Sequence, residues 1–161
     1  MLLKLIVKPP VKRLTLTNPV EDELAIRHLV SVYADAVNRR DGDLWASTWA
    51  EDGIWELRGN PIEGVDNIVN TWHGAMGSFE FVVQLVYQGT LDIQGDQATG
   101  RWYLAEHLRP EGVENGFFNV GTYADEYVKQ NGTWLFKKRS YHVLYNDEGK
   151  GDMSGIATPL P

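Results

Sequence analysis

The sequence predicts an α+β domain, with helices leading and a meander of long antiparallel strands following. Two observations carry this prediction. Ile26, Leu29, Val30, Tyr33 and Val37 recur at the spacing of one helical face. From residue 80 onward, β-rich runs are separated by turn residues, including the hairpin signal Asn131-Gly132. Helices followed by strands, without βα alternation, point to helices packed on one face of an antiparallel sheet.

The first helix opens at Asn18-Pro19-Val20-Glu21, where Asn caps, Pro suits the first turn and Glu completes a capping-box variant. It should end near Arg40, before Asp41-Gly42-Asp43. Asp43 is then expected to cap a short helix over 44–50, followed by a strand over 54–58 and a turn at Asn60-Pro61. A third helix is predicted over 65–75. Strands are predicted over 80–93, bent at Gly89, and over 98–108, 117–129 and 133–145. Residues 1–17 read as an arm or edge strand, and the Gly-, Asp- and Pro-rich stretch 146–161 as an irregular surface tail.

The 161 residues make one domain's worth of chain, 43% apolar and 23% charged. A net charge of −7 repels phosphate backbones, so no nucleic-acid partner is expected. The chain has no cysteine, which removes disulfides, thiolate nucleophiles and Cys-ligated zinc. Met1–Val7 is apolar but interrupted by Lys4 and too short for a span, so no membrane partner is expected and a cytoplasmic location is the default. The four histidines, His28, His73, His107 and His142, lie on separate elements without metal-ligand spacing. No metal site is expected, and His73 is the histidine expected nearest a pocket.

Alternation places Trp102, Leu104 and Glu106 on one face of their strand. A carboxylate beside Leu and Trp would lose solvation, as a general acid or base requires, unless it simply pairs with an arginine. The last strand offers Arg139 on a face shared with Tyr141, Val143 and Tyr145. An inward Arg beside a Tyr could bind a carboxylate, phenolate or enolate. Tyr33 lies on the apolar stripe of the first helix, either as core or as a hydrogen-bond donor to a developing oxyanion.

The ordered set Tyr33–Asp41, Leu44–Asp52, Gly64–Ile68, Gly95–Tyr103, Gly121–Tyr127, Gly132-Thr-Trp134 and Arg139 resembles the SnoaL-like branch of the nuclear transport factor 2-like superfamily over about residues 20 to 145. That resemblance implies a conical α+β barrel of cystatin-like type, three helices packed on a strongly curved sheet around a pocket, within a domain spanning 18–145. It implies chemistry without a cofactor, as in scytalone dehydratase, hexachlorocyclohexane dehydrochlorinase and polyketide cyclase relatives. A small apolar or aromatic ligand and a homodimer or homotrimer are implied as partners.

Carried over by resemblance, Tyr33 falls at an oxyanion or leaving-group position, Arg139 at a pocket arginine and Glu106 at an acidic pocket position. Trp55, Leu104, Asn119, Tyr123 and Tyr141 fall at cone-lining positions. The Asp–His dyad of the dehydratases is represented by Asn38 and, on the bent strand, by Tyr87. The base position of the ketosteroid isomerases falls on Leu57. The expected activity is proton abstraction beside a carbonyl or leaving group, by Glu106 or a tyrosine phenolate, in a lyase or isomerase. The alternative is a binding or oligomerisation module of the same fold.

Overall fold

The computed structural model describes residues 19–151 and 155–159. The arm at 1–17 and the cap Asn18 lie outside the described residues. Helix α1 (Pro19–Arg39) is followed by α2 (Gly42–Ala46), β1 (Trp49–Leu57), β2 (Asn60–Glu63), α3 (Val65–Gly77), β3 (Phe79–Gln94), β4 (Gln97–Pro110), β5 (Phe117–Gln130), β6 (Thr133–Asn146) and β7 (Ile156–Ala157). Among the described residues, seven strands form one sheet in the order β2-β1-β6-β5-β4-β3, with β7 on β6. The β1–β6 pair is parallel and the rest are antiparallel. Among the described residues, no helix is long and apolar enough to cross a membrane.

Three local expectations are corrected. The cap of α2 is Asp41, whose Oδ1 accepts from Leu44 N at 3.0 Å, so this helix starts before Asp43. It stops at Ala46 because Ser47 and Thr48 turn their hydroxyls onto the carbonyls of Leu44 and Trp45; Trp49 and Ala50 then begin β1. The turn expected at Asn60-Pro61 sits two residues earlier, at Arg58-Gly59, with φ of 52° and 79°. Asn60-Pro61 instead opens an exposed edge strand, where the missing proline N–H costs no ladder bond. The tail is not wholly irregular: Ile156 and Ala157 pair with Asn146 and Tyr145.

The concave face of the sheet wraps around α1. Ile26, Leu29, Val30, Tyr33 and Val37 supply the buried stripe, meeting Trp102, Leu104, Tyr123, Tyr127 and Phe136 from the sheet. Three of the bulges in β3 and β6 decide which candidate residues face inward. An extra residue at 137–138 in β6, read from Glu126↔Lys138 and Tyr127↔Phe136, changes its parity, so buried Phe136 and buried Arg139 share the concave face. A second slip, between Tyr145 and Val143, moves Tyr145 to the convex face, where it meets Phe118. The expectation that Tyr145 shares a face with Arg139 is therefore overturned. The third lies between Val86 and Gly89, where the bend was expected. On the convex face, Phe81, Leu85 and Tyr103 are exposed.

Candidate functional site

The register aligns one row of polar residues across four strands. Gln84 of β3 pairs with Glu106 of β4, Glu106 with Asn119 of β5, and Asn119 with Asn146 of β6. Their side chains form a belt across the concave face. Gln84 Nε2 donates to Glu106 Oε1 at 2.9 Å and to the Tyr123 hydroxyl at 2.7 Å. Tyr141 donates to Glu106 Oε2 at 2.6 Å. Asn146 Nδ2 donates to Asn119 Oδ1 at 2.6 Å, and Asn119 in turn faces the Tyr141 hydroxyl. Both carboxylate oxygens of Glu106 thus accept, and the network ends on them. Gly121 is required beside it, because a Cβ there would run into the Tyr141 ring and the His142 carbonyl.

The amide orientation of Gln84 follows from its partners. Turned over, its oxygen would face the Glu106 carboxylate. In the orientation present, Gln84 Oε1 is buried with no hydrogen-bond partner, beside the carboxylate.

Arg139 does something other than expected. It is fully buried, and Nε and Nη2 reach Asp125 Oδ1 and Oδ2 at 2.8 and 2.7 Å, a bidentate pair with nothing directed at Glu106. Its guanidinium lies 3.8 to 4.2 Å from the rings of Tyr123, Phe136 and Tyr33. Burial alone would lower the arginine's pKa, but the Asp125 carboxylate more than offsets this and leaves it raised. Asp125 also accepts from Tyr127, which accepts from Trp102 Nε1 at 2.7 Å. This is a sealed pillar of the core.

Tyr33 is part of the same core. It is 1% exposed and contacts Trp45, Trp49, Tyr123 and Phe136. Burial raises its pKa, as it does those of Tyr123 and Tyr141; for Tyr141 the Glu106 carboxylate adds to the effect. Each of these phenols is therefore a neutral donor at neutral pH. Trp55 and Leu104 are buried in the same cluster, where Trp45, Trp49, Trp55 and Trp72 pack on one another. The space between helix and sheet is filled at this level.

The remaining candidates lie elsewhere. Tyr87 is 56% exposed and lines a groove of about 340 Å³ between α1 and β3, with Asn38. The strand residue that faces Asn38 is Gln84, not Tyr87: Asn38 Oδ1 accepts from Gln84 N at 2.7 Å and its Nδ2 donates to Gln84 O at 2.9 Å. The sequence missed Gln84 because the Val86/Gly89 bulge displaces Tyr87 from the inward row. His73 is exposed and rests against Gly42 and Trp72 outside the cone, not in a pocket. Among the described residues, no group of three or more His, Asp or Glu side chains is arranged to hold a metal.

Polar clefts flank the belt. One, of about 580 Å³, is lined by Arg58, Tyr141, Val143, Asn146, Ile156 and Pro159 among others. A second, of about 420 Å³, lies between Arg58, Asn146, Phe117 and the turn at Glu148-Gly149. The belt can accept a proton at Glu106, whose two oxygens are held by Gln84 and Tyr141.

No curated protein matches the chain in sequence. Solved structures share its architecture. A candidate scytalone dehydratase from Novosphingobium aromaticivorans superposes with a TM-score of 0.74 at 17% identity, covering 89% of this chain and 91% of that one. The type 3 hexachlorocyclohexane dehydrochlorinase of Novosphingobium barchaimii gives 0.75 at 18% identity, covering 89% and 97%. A cystatin-like protein of unknown function from Nostoc punctiforme gives 0.65 at 19% identity, covering 76% and 91%. These likenesses describe the fold. The model of the SnoaL-like domain matches residues 18–140, spanning α1 through the middle of β6, and on that match the chain belongs to the SnoaL-like family.

Proposed function

We propose that the chain is a cofactor-free lyase or isomerase that removes a proton beside a carbonyl or a leaving group of a small aromatic, polyketide or steroid-like substrate. The reaction takes place at the belt and not deeper in the cone. The observation that carries this reading is Glu106, the one carboxylate of the belt, held by Gln84 and Tyr141 at 2.9 and 2.6 Å.

In this reading Glu106 takes the proton. Once the proton is on Glu106, the Tyr141 hydroxyl, a neutral phenol that otherwise donates to Glu106 Oε2, turns to the oxygen charge as it develops. A positioned general base of this kind contributes on the order of 10²- to 10⁴-fold in rate. The Asn38 side chain and the Gln84 main chain form a neutral pair that cannot take up a proton, so the transfer falls to the carboxylate.

A second reading, a ligand-binding module, draws support from that same neutral pair and from the sealing of Arg139. Deuterium exchange separates the two. Aryl ketones, cyclic enones and β-hydroxy ketones are incubated in D₂O with the protein and followed by proton NMR. The enzyme reading expects incorporation at the carbon beside the carbonyl, and its loss in Glu106→Gln. Binding without incorporation across the panel would favour the module.

A further inference from the structure

The turn between β1 and β2 places an arginine where the backbone does not favour one. Arg58 and Gly59 have φ of 52° and 79°, the conformation of a two-residue hairpin that selects Asn, Asp or Gly at its first position. Strain of this sort persists where something else makes use of the residue. The Arg58 side chain makes no ion pair among the described residues, whereas the neighbouring cations are engaged: Lys138 with Glu56 at 3.0 Å, Lys150 with Glu148 at 2.8 Å and Arg139 with Asp125.

Its position is also particular. Arg58 and Asn146 line both clefts that flank the belt, and Tyr141, the donor to Glu106, lines the larger. Arg58 lies within electrostatic reach of the Tyr141 hydroxyl. The other charged or titratable groups on these walls are Glu56, His142 and Glu148. Val143, Ile156 and Pro159 on one side and Phe117 on the other supply apolar surface for a flat ring.

We infer that this mouth receives a small aromatic ligand bearing a single carboxylate, which Arg58 grips while the ring reaches toward Glu106. The inference rests on the reading of Glu106 as the reacting end of the site. A chain of net charge −7 repels anions at long range. An anionic ligand therefore needs a local cation, and Arg58, on the same cleft wall as Tyr141, supplies one. The planar guanidinium matches a carboxylate through two parallel hydrogen bonds. One unpaired arginine suits a monoanion better than a phosphate ester, which carries up to two charges.

The test uses 2-naphthoate and its neutral analogue 2-naphthamide as probes, titrated by calorimetry and amide NMR into the full chain and its Arg58→Gln, Arg58→Lys and Glu106→Gln variants. The wild type should bind the acid about tenfold more tightly than the amide, as a charge-assisted pair implies. Arg58→Gln should lose that preference while keeping its affinity for the amide, and Arg58→Lys should regain part of it. Equal affinity of the wild type for the two probes, no acid binding at millimolar ligand, or a preference that survives Arg58→Gln would each overturn the inference. Glu106→Gln should keep the preference for the acid. Failure of deuterium exchange with that preference intact would sink the proton-transfer reading alone; exchange without the preference would sink the Arg58 inference alone.

Discussion

Asn38 holds both backbone groups of Gln84, accepting its N–H at 2.7 Å and donating to its C=O at 2.9 Å. The end of α1 is thereby bonded to the long bent strand at the residue whose side chain supports Glu106. This contact sets the register between helix and sheet at the belt, and a one-residue slip of β3 would turn Gln84 outward.

Replacing Asn38 by Ala removes both bonds and leaves a partly buried strand N–H unpaired. The expected cost is about 1–3 kcal/mol in urea unfolding. Any exchange activity should fall with it, since Gln84 loses its anchor. Asn38→Asp should recover only part of the stability, because a carboxylate cannot donate to the Gln84 carbonyl. A variant as stable and as active as wild type would show that the clamp positions nothing.

The Arg139–Asp125 pair predicts strong non-additivity. Arg139→Met leaves a fully buried carboxylate without its partner and should cost about 3–5 kcal/mol. The double variant Arg139→Met, Asp125→Leu should be more stable than the single one, because no charge remains stranded. Denaturant titrations of the wild type, both single variants and the double variant measure the coupling. Additive losses would contradict the picture of a sealed pair.

Alkaline titration should show tyrosines that ionise only on unfolding. Burial is the leading cause that raises the pKa of Tyr33, Tyr123, Tyr127 and Tyr141 in the folded chain. A raised folded pKa contributes stability that is fully present below the unfolded value of about 10 and is lost as pH rises above it. Absorbance at about 295 nm should therefore show these phenolates appearing together with the loss of near-ultraviolet circular dichroism. A smooth titration of every tyrosine while the fold persists would be the contrary result.

On the acid side, the sign reverses. Asp22 is held below its usual pKa by hydrogen bonds from Lys129 at 2.7 Å and Trp134 at 2.8 Å. A lowered folded pKa gives stability present above the unfolded carboxylate value, near about 4, and lost as pH falls through the folded one. Asp22→Asn should be less stable than wild type at neutral pH. The gap should narrow as pH falls toward about 3 in urea melts. A gap that does not change with pH would remove the ionic contribution.

The fold was legible because its signals are local and repeated. The apolar stripe of α1, the Asn131-Gly132 turn and the alternation of β4 each specify an element without tertiary help. The face of Glu106 was legible for the same reason, since β4 pairs with β5 in unbroken register. Arg139 was assigned the correct face but the wrong partner, since nothing in the sequence distinguishes Asp125 from Glu106 as its neighbour. Tyr87 and Tyr145 were misplaced by bulges, which shift parity without a marker in composition. Gln84 was missed for a chemical reason as well. A neutral amide among valines and leucines gives no sign that it will be buried against a carboxylate.

Whether the proton is taken at Glu106 is tested most directly by comparing Glu106→Gln with Tyr33→Phe in deuterium exchange on one exchanging ketone. Glu106→Gln should lose at least about 10²-fold in rate. Tyr33→Phe, which alters only the sealed core, should stay within about threefold of wild type once folded protein is counted. A wild-type rate in Glu106→Gln, or a loss confined to Tyr33→Phe, would place the chemistry deep in the cone and contradict the account.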